Sequence, residues 1–179
     1  KYLKKWNEFS EKIRHPKKEI TIAMTGKYTS LRDSYASIIK ALDHAGAYMD
    51  SEIKIKWIET TDIETHKINV EEALSDVDGI LVAPGFGKRG TEGKIMCLKH
   101  ARENNIPYLG VCYGMQMAVI EFARNVCGLK DANSTEIDPT TKEPVIDILP
   151  EQKEIEGLGG NMRLGGKEVE VKKDTKAYK

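Results

Sequence analysis

The stretch Ile106-Pro107-Tyr108-Leu109-Gly110-Val111-Cys112-Tyr113-Gly114-Met115, continuing into Gln116-Met117-Ala118-Val119-Ile120-Glu121-Phe122-Ala123-Arg124, decides the fold. Residues 106–109 read as a short buried strand, and residues 116–124 carry the apolar spacing of a helix. Between them Cys112 has a glycine two residues away on either side, the thiol form of a nucleophile elbow. Such a turn is too tight for side chains to pass beside the strand, and glycine removes them. It lifts the sulfur clear of the sheet and aims a helix N-terminus at it, where the positive end of the dipole favours thiolate over thiol. The pattern alone also admits a structural cysteine buried in a Gly-containing turn.

Working outward, residues 20–24 (Ile-Thr-Ile-Ala-Met) read as a strand running into Thr25-Gly26-Lys27. A helix is expected next, opened by Ser30 with Asp33 as a capping box, carrying Tyr35, Ile38, Ile39 and Leu42, and closed at His44-Ala45-Gly46. Ile53, Ile55 and Trp57 alternate with charged residues as a second strand with one wet face, residues 70–74 form a short helix, and residues 79–83 form a wholly apolar strand. Residues 93–104 read as a helix leading to the strand before Cys112. Strands separated by helices predict an α/β fold, a mostly parallel open sheet with helices on both faces and its site at the strand C-termini. Residues 131–151, with Pro139, Pro144 and Pro150, read as a long excursion outside the core. Residues 167–172 alternate like an edge strand. Residues 1–14 place Tyr2, Trp6, Phe9 and Ile13 at helical spacing, an amphipathic helix ending before His15-Pro16.

Lys plus Arg and Asp plus Glu are both 28 among 179 residues, so the formal charge is zero and gives no long-range attraction to nucleic acid or an anionic membrane. No apolar run approaches membrane-spanning length. Cys97, Cys112 and Cys127 lack metal-ligand spacing, and three is an odd number for a disulfide framework. The expectation is one domain without metal or leader, in a reducing, cytoplasmic setting.

A nucleophilic Cys112 needs an oxyanion hole. Ala83-Pro84-Gly85-Phe86-Gly87 follows an apolar strand to the same sheet edge, and a glycine there lets a backbone N–H approach a carbonyl oxygen. The N–H of Tyr113, next after the nucleophile, is the second candidate donor. A plain Pro-Gly turn closing the strand is the competing reading. The four histidines, His15, His44, His66 and His100, lie at a junction, a helix end, a polar stretch and a helix face, and all four read as non-catalytic.

With these residues in place, the elbow resembles that of class I (triad) glutamine amidotransferases. More narrowly, the chain resembles the amidotransferase domain of the CTP synthase family, in a flavodoxin-like fold. The resemblance runs from Ile20 to about Gly166. It rests on Gly26-Lys27-Tyr28, on Gly85-Phe86-Gly87-Lys88-Arg89-Gly90-Thr91-Glu92-Gly93-Lys94-Ile95, on the elbow, on Asn133-Ser134-Thr135-Glu136, and on Gly159-Gly160-Asn161-Met162-Arg163-Leu164-Gly165. It implies that Cys112 attacks the side-chain amide of L-glutamine to give a γ-glutamyl thioester and ammonia, with Gly85 and Tyr113 as oxyanion hole. It implies that Gln116 and Glu136 bind the glutamine's polar groups and that Arg163 takes its α-carboxylate, a two-pronged charge-assisted pairing. Phe86, Gly114 and Met115 complete the implied glutamine pocket.

The family further implies a homo-oligomeric parent whose synthetase domain uses the ammonia, with ATP and Mg²⁺, to aminate UTP to CTP. This domain itself is expected to hold no cofactor. Residues 1–18 would be a linker helix from that synthetase domain, and residues 19–179 the amidotransferase domain. The chain departs from the family pattern at Ala83, at Tyr113 (commonly leucine) and at Asn161 (usually threonine). The family's triad His and Glu, near the end of the domain, have no counterpart before Lys179, so the expectation is a nucleophile and pocket without the base. Two other functions compete: an amidotransferase serving another acceptor, as in GMP or carbamoyl phosphate synthesis, and a catalytically silent flavodoxin-like regulatory domain.

Overall fold

The computed structural model describes residues 2–148, 168–175 and 178. They fall into two compact units, Lys1–Asp147 and Ile148–Lys179.

In the first unit, α1 (Tyr2–Arg14) precedes β1 (Lys18–Gly26). A 3₁₀ turn (Arg32–Tyr35) leads into α2 (Ala36–Tyr48), followed by β2 (Ser51–Glu59), α3 (Thr60–Glu64), α4 (Val70–Ala73) and β3 (Gly79–Val82). Then come α5 (Thr91–Glu103), β4 (Tyr108–Gly110) and α6 (Tyr113–Asn125), and finally β5 (Ala132–Ser134) and β6 (Glu143–Ile146). The central sheet is parallel throughout, in the order β2-β1-β3-β4. One face is covered by a cluster containing Ile63, Leu74, Ile95, Leu98, Met117 and Ile120 from α3 to α6. The other face carries Tyr35, Ile38, Ile39 and Leu42. This is the α/β architecture with helices on both faces that the alternation of periods predicts.

Parallel connections force every return crossover to one side of the strand ends, so β1, β3 and β4 all deliver their loops to the same edge. There Gly26-Lys27, Ala83-Pro84-Gly85 and Val111-Cys112 lie side by side, with Val111 N–H donating to Val82 O at 3.0 Å. Helix α6 is locked to α5 by a bidentate ion pair. Arg102 Nε and Nη2 donate to Glu121 at 2.9–3.1 Å, and the Glu121 side chain is 1% exposed.

Several expectations need correction. Ser30 caps nothing: the helix start is displaced into the 3₁₀ turn because Tyr35 inserts into the core and its hydroxyl donates to Lys27 O at 2.6 Å. Gly46 does not end α2, which runs on to Tyr48. A Cβ at Gly46 would lie 2.6 Å from Ser51 O, so the glycine serves the close approach of α2 to β2. The strand before the elbow is Tyr108–Gly110 rather than residues 106–109, and it is not buried: Leu109 is 61% exposed, since β4 is paired on one side only among the described residues. Residues 131–151 are not wholly an excursion, because β5 and β6 pair there and Ala132 and Ile137 are buried. Helix α3 is legible in neither period and forms where Thr60 turns the chain beneath Gly93. In the second unit, residues 168–172 are neither helix nor strand, contrary to the edge-strand expectation. Asp174 turns the backbone there at φ 71, and Thr175 Oγ1 donates to Lys172 O at 2.8 Å.

Candidate active site

Cys112 is the N-cap of α6 and is exposed, with φ 52 and ψ −109. That backbone region is costly for a residue with a side chain and persists only where the surroundings enforce it. Here two glycines do so. A Cβ at Gly110 would lie 2.5 Å from Met115 N, and one at Gly114 only 2.1 Å from Val82 O. The first turn of α6 is thus pressed onto the end of β3, and Cys112 is the residue left to reverse the chain. Its carbonyl accepts from Met115 N–H at 3.0 Å and Gln116 N–H at 3.2 Å, starting the helix.

Opposite the elbow runs the loop of residues 83–90. Gly85 is half-buried, and among the described residues its N–H has no hydrogen-bond partner. Tyr113 Cδ1 would lie 3.9 Å from a Cβ at Gly85, so the Tyr113 ring packs beside the turn that carries the first candidate oxyanion donor. The loop is held by unusually many groups. The Tyr113 hydroxyl donates to Gly87 O at 2.7 Å and pairs with Thr91 Oγ1 at 3.2 Å. Glu136 Oε1 accepts from Gly87 N–H at 2.9 Å, Glu64 Oε2 accepts from Gly90 N–H at 2.8 Å, and Lys27 Nζ donates to Phe86 O. Lys94, 1% exposed, donates to Ala83 O at 2.6 Å and reaches Pro84 O at 3.5 Å.

The electrostatics follow from this crowding. Burial pulls the Lys94 ammonium down to about 8, with the Lys27 charge adding to the drop and Cys112 opposing it. Burial, then Arg89, also lowers Lys27, while Glu136, Glu59 and Glu64 draw it back up. Burial raises the Tyr113 phenol, so it remains a protonated donor at neutral pH.

The structure therefore brings Cys112, Gly85, Tyr113, Gly114, Gln116 and Glu136 to one edge. Phe86 and Met115 are about half exposed beside them, at 53% and 49%. Arg163 and the rest of its block lie outside the described residues. None of the four histidines contacts Cys112 among the described residues: His15 faces Glu11, His44 packs edge-on against Phe9, His66 sits in a turn at φ 57, and His100 pairs with Asn104. No group of three or more His, Cys, Asp or Glu among the described residues could hold a metal ion, and none of the described helices is long and apolar enough to cross a membrane. An open groove of about 740 Å³ lies instead at α1, where Lys4 pairs with Glu8 and Lys12 with Asp50.

Sequence reading missed Lys94, Thr91, Glu64 and Lys27 as site residues. A signal existed for Lys94: it shares a helical stripe with Thr91, Ile95, Leu98 and Ala101, all buried. A charge on an apolar stripe is expensive unless it has a partner.

An α/β sheet that ends in a glycine-flanked, strained cysteine, with a backbone N–H at the same edge unpartnered among the described residues, has the layout of a nucleophile elbow. The model of the family described as glutamine amidotransferase class-I matches residues 30–179, and the chain belongs to that family. It is similar to a CTP synthase of Sulfurisphaera tokodaii, 53% identical over 177 residues, covering 99% of this chain and 33% of the relative. A CTP synthase of Carboxydothermus hydrogenoformans is 54% identical over 176 residues, covering 98% of this chain and 32% of the relative. The chain thus spans about a third of the length of the curated relatives it matches. Among solved structures, the Trypanosoma brucei CTPS glutaminase domain with bound acivicin superposes with a TM-score of 0.67 at 37% identity, over 73% of this chain and 50% of that one.

Proposed function

We propose that this chain is the glutaminase portion of a CTP synthase, with Cys112 as its nucleophile. The observation that carries the reading is the elbow: an exposed cysteine at φ 52, at the same sheet edge as Gly85, whose N–H has no hydrogen-bond partner among the described residues. The Cys112 thiolate attacks the side-chain amide carbon of glutamine, and the carbonyl oxygen takes up negative charge between the Gly85 and Tyr113 N–H groups. Collapse of the adduct breaks the C–N bond, and the leaving nitrogen takes a proton and departs as ammonia. Water then cleaves the γ-glutamyl thioester to glutamate and restores the thiol. A histidine from another part of the parent polypeptide, oriented by a glutamate, would move these protons.

Gln116, Glu136 and Arg163 are assigned to the glutamine's polar groups and α-carboxylate. Glu136 already spends Oε1 on Gly87 N–H, so binding the α-ammonium would tie the substrate to the same loop that holds the oxyanion. In the parent protein, a synthetase region holding ATP and Mg²⁺ would use the ammonia to aminate UTP, α1 would be part of its connection to this domain, and the parent would be a cytoplasmic homo-oligomer. These assignments are supported by the CTP synthase relatives, each about three times the length of this chain.

The test is glutamine-dependent CTP formation by the full-length protein, with labelling by a glutamine-analogue electrophile. Cys112 should be labelled stoichiometrically. Cys112→Ala should lose the glutamine-dependent reaction while keeping the ammonia-dependent one. Glutamine use by that variant would remove Cys112 from the mechanism.

A further inference from the structure

A buried ammonium is a poor choice for packing, and among the described residues no carboxylate pairs with Lys94. Its recorded hydrogen-bond partners are two backbone carbonyls, Ala83 O and Pro84 O, the pair immediately before Gly85. Its Nζ also lies 5.2 Å from the centroid of the Tyr113 ring, a cation–π contact that is strong where water is excluded. The same tyrosine reaches across with its hydroxyl to Gly87 O at 2.7 Å. Thr91 Oγ1, in the first turn of α5, bonds both that hydroxyl and Gly87 O. Carbonyls on both sides of Gly85 are therefore held by side chains anchored in α5 and α6, the helix that the nucleophile caps.

We infer that Lys94 and the Tyr113 hydroxyl are positioning residues for the oxyanion hole, fixing the peptide planes of residues 83–87 so that the Gly85 N–H faces the carbon attacked by Cys112. The inference rests on the assignment of Gly85 and Cys112 above. A peptide plane is free to rotate in a glycine loop, and rotation turns its N–H away from the substrate. Holding the neighbouring carbonyls removes that freedom before the substrate arrives, so no reorganisation is needed when charge develops. Tyr113 is central here because leucine, which the resembled family commonly has at this position, provides neither the ring for the ammonium nor the hydroxyl for Gly87 O.

An interaction of this kind matters in the transition state and not in ground-state binding, which separates it from a structural role. In the full-length protein, Lys94→Met should lower kcat for glutamine hydrolysis about 100-fold, the cost typical of losing one oxyanion donor. Its KM should stay within about threefold of wild type. Tyr113→Phe, which deletes a single hydroxyl, should lower kcat about tenfold, with KM again unchanged. Alkylation of Cys112 by iodoacetamide, which displaces iodide at carbon and needs no oxyanion hole, should keep its wild-type rate in Tyr113→Phe, which retains the Lys94 charge that acts on Cys112.

The inference is overturned if both variants keep wild-type kcat, if KM rises while kcat is retained, or if the iodoacetamide reactivity of Tyr113→Phe falls in step with its kcat. Should Lys94→Met fail to fold, the kcat, KM and alkylation rate of Tyr113→Phe decide. Cys112→Ser separates the two levels: glutaminase activity in that variant would remove the underlying assignment, whereas its loss alongside unaltered Lys94→Met and Tyr113→Phe removes only this one.

Discussion

Lys94 is a residue whose protonation depends on the fold. Its ordinary value is 10.5, and burial brings it to about 8. Between those two values the unfolded chain holds a proton that the folded chain has released, so stability rises with pH through that window. Below about 8 the full cost of the buried ammonium is present. Comparing wild type with Lys94→Met cancels the other titrating groups. Urea unfolding should show wild type gaining about 3 kcal/mol relative to the variant between pH 7 and pH 10.5. A pH-independent difference would mean that Lys94 is solvated in solution. Position 94 lies on an apolar stripe, so its burial was legible in the sequence. Its partners were not, because Ala83 O and Pro84 O are backbone atoms that carry no sequence signature.

At the scale of elements, the elbow depends on how closely α6 approaches β3. Glycine at position 114 allows contact with Val82 O, and any Cβ there would lie 2.1 Å from that oxygen. Gly114→Ala must push the helix outward, at a cost of about 3 kcal/mol, measurable as a fall in the urea midpoint. The displaced helix would carry Cys112 and the Tyr113 N–H away from Gly85, so glutaminase activity should fall more steeply than stability. A variant of wild-type stability would show that α6 is not seated against β3. The helix and the glycine spacing were readable because both are local patterns. The starts and ends of α2 were misread for the opposite reason: Tyr35 and Gly46 are governed by contacts with Lys27 and Ser51, which are distant in sequence or lie beyond a turn. β5 and β6 escaped notice because Ala132–Ser134 and Glu143–Ile146 are short and neither is apolar throughout, whereas the equally short β3 is wholly apolar.

For the molecule as a whole, the three thiols report on cooperativity. Cys112 and Cys127 are exposed, whereas Cys97 is fully buried in the core and burial pushes it up to about 12. A thiol reagent at neutral pH should therefore modify two cysteines in the native protein and three in urea. Cys97 should react natively only as fast as the core opens. Rapid native labelling of Cys97 would place α5 outside the cooperative core. Within this core, the sequence by itself determined the alternation of strand and helix, the parallel sheet and the cysteine turn, since each is written in spacing between near neighbours. The tertiary structure decided which charges sit beside the thiol. Lys94, Tyr113, Glu136 and Glu64 meet the glycine loop only because parallel strands deliver three separate loops to one sheet edge, where backbone carbonyls and N–H groups need partners that no local pattern specifies.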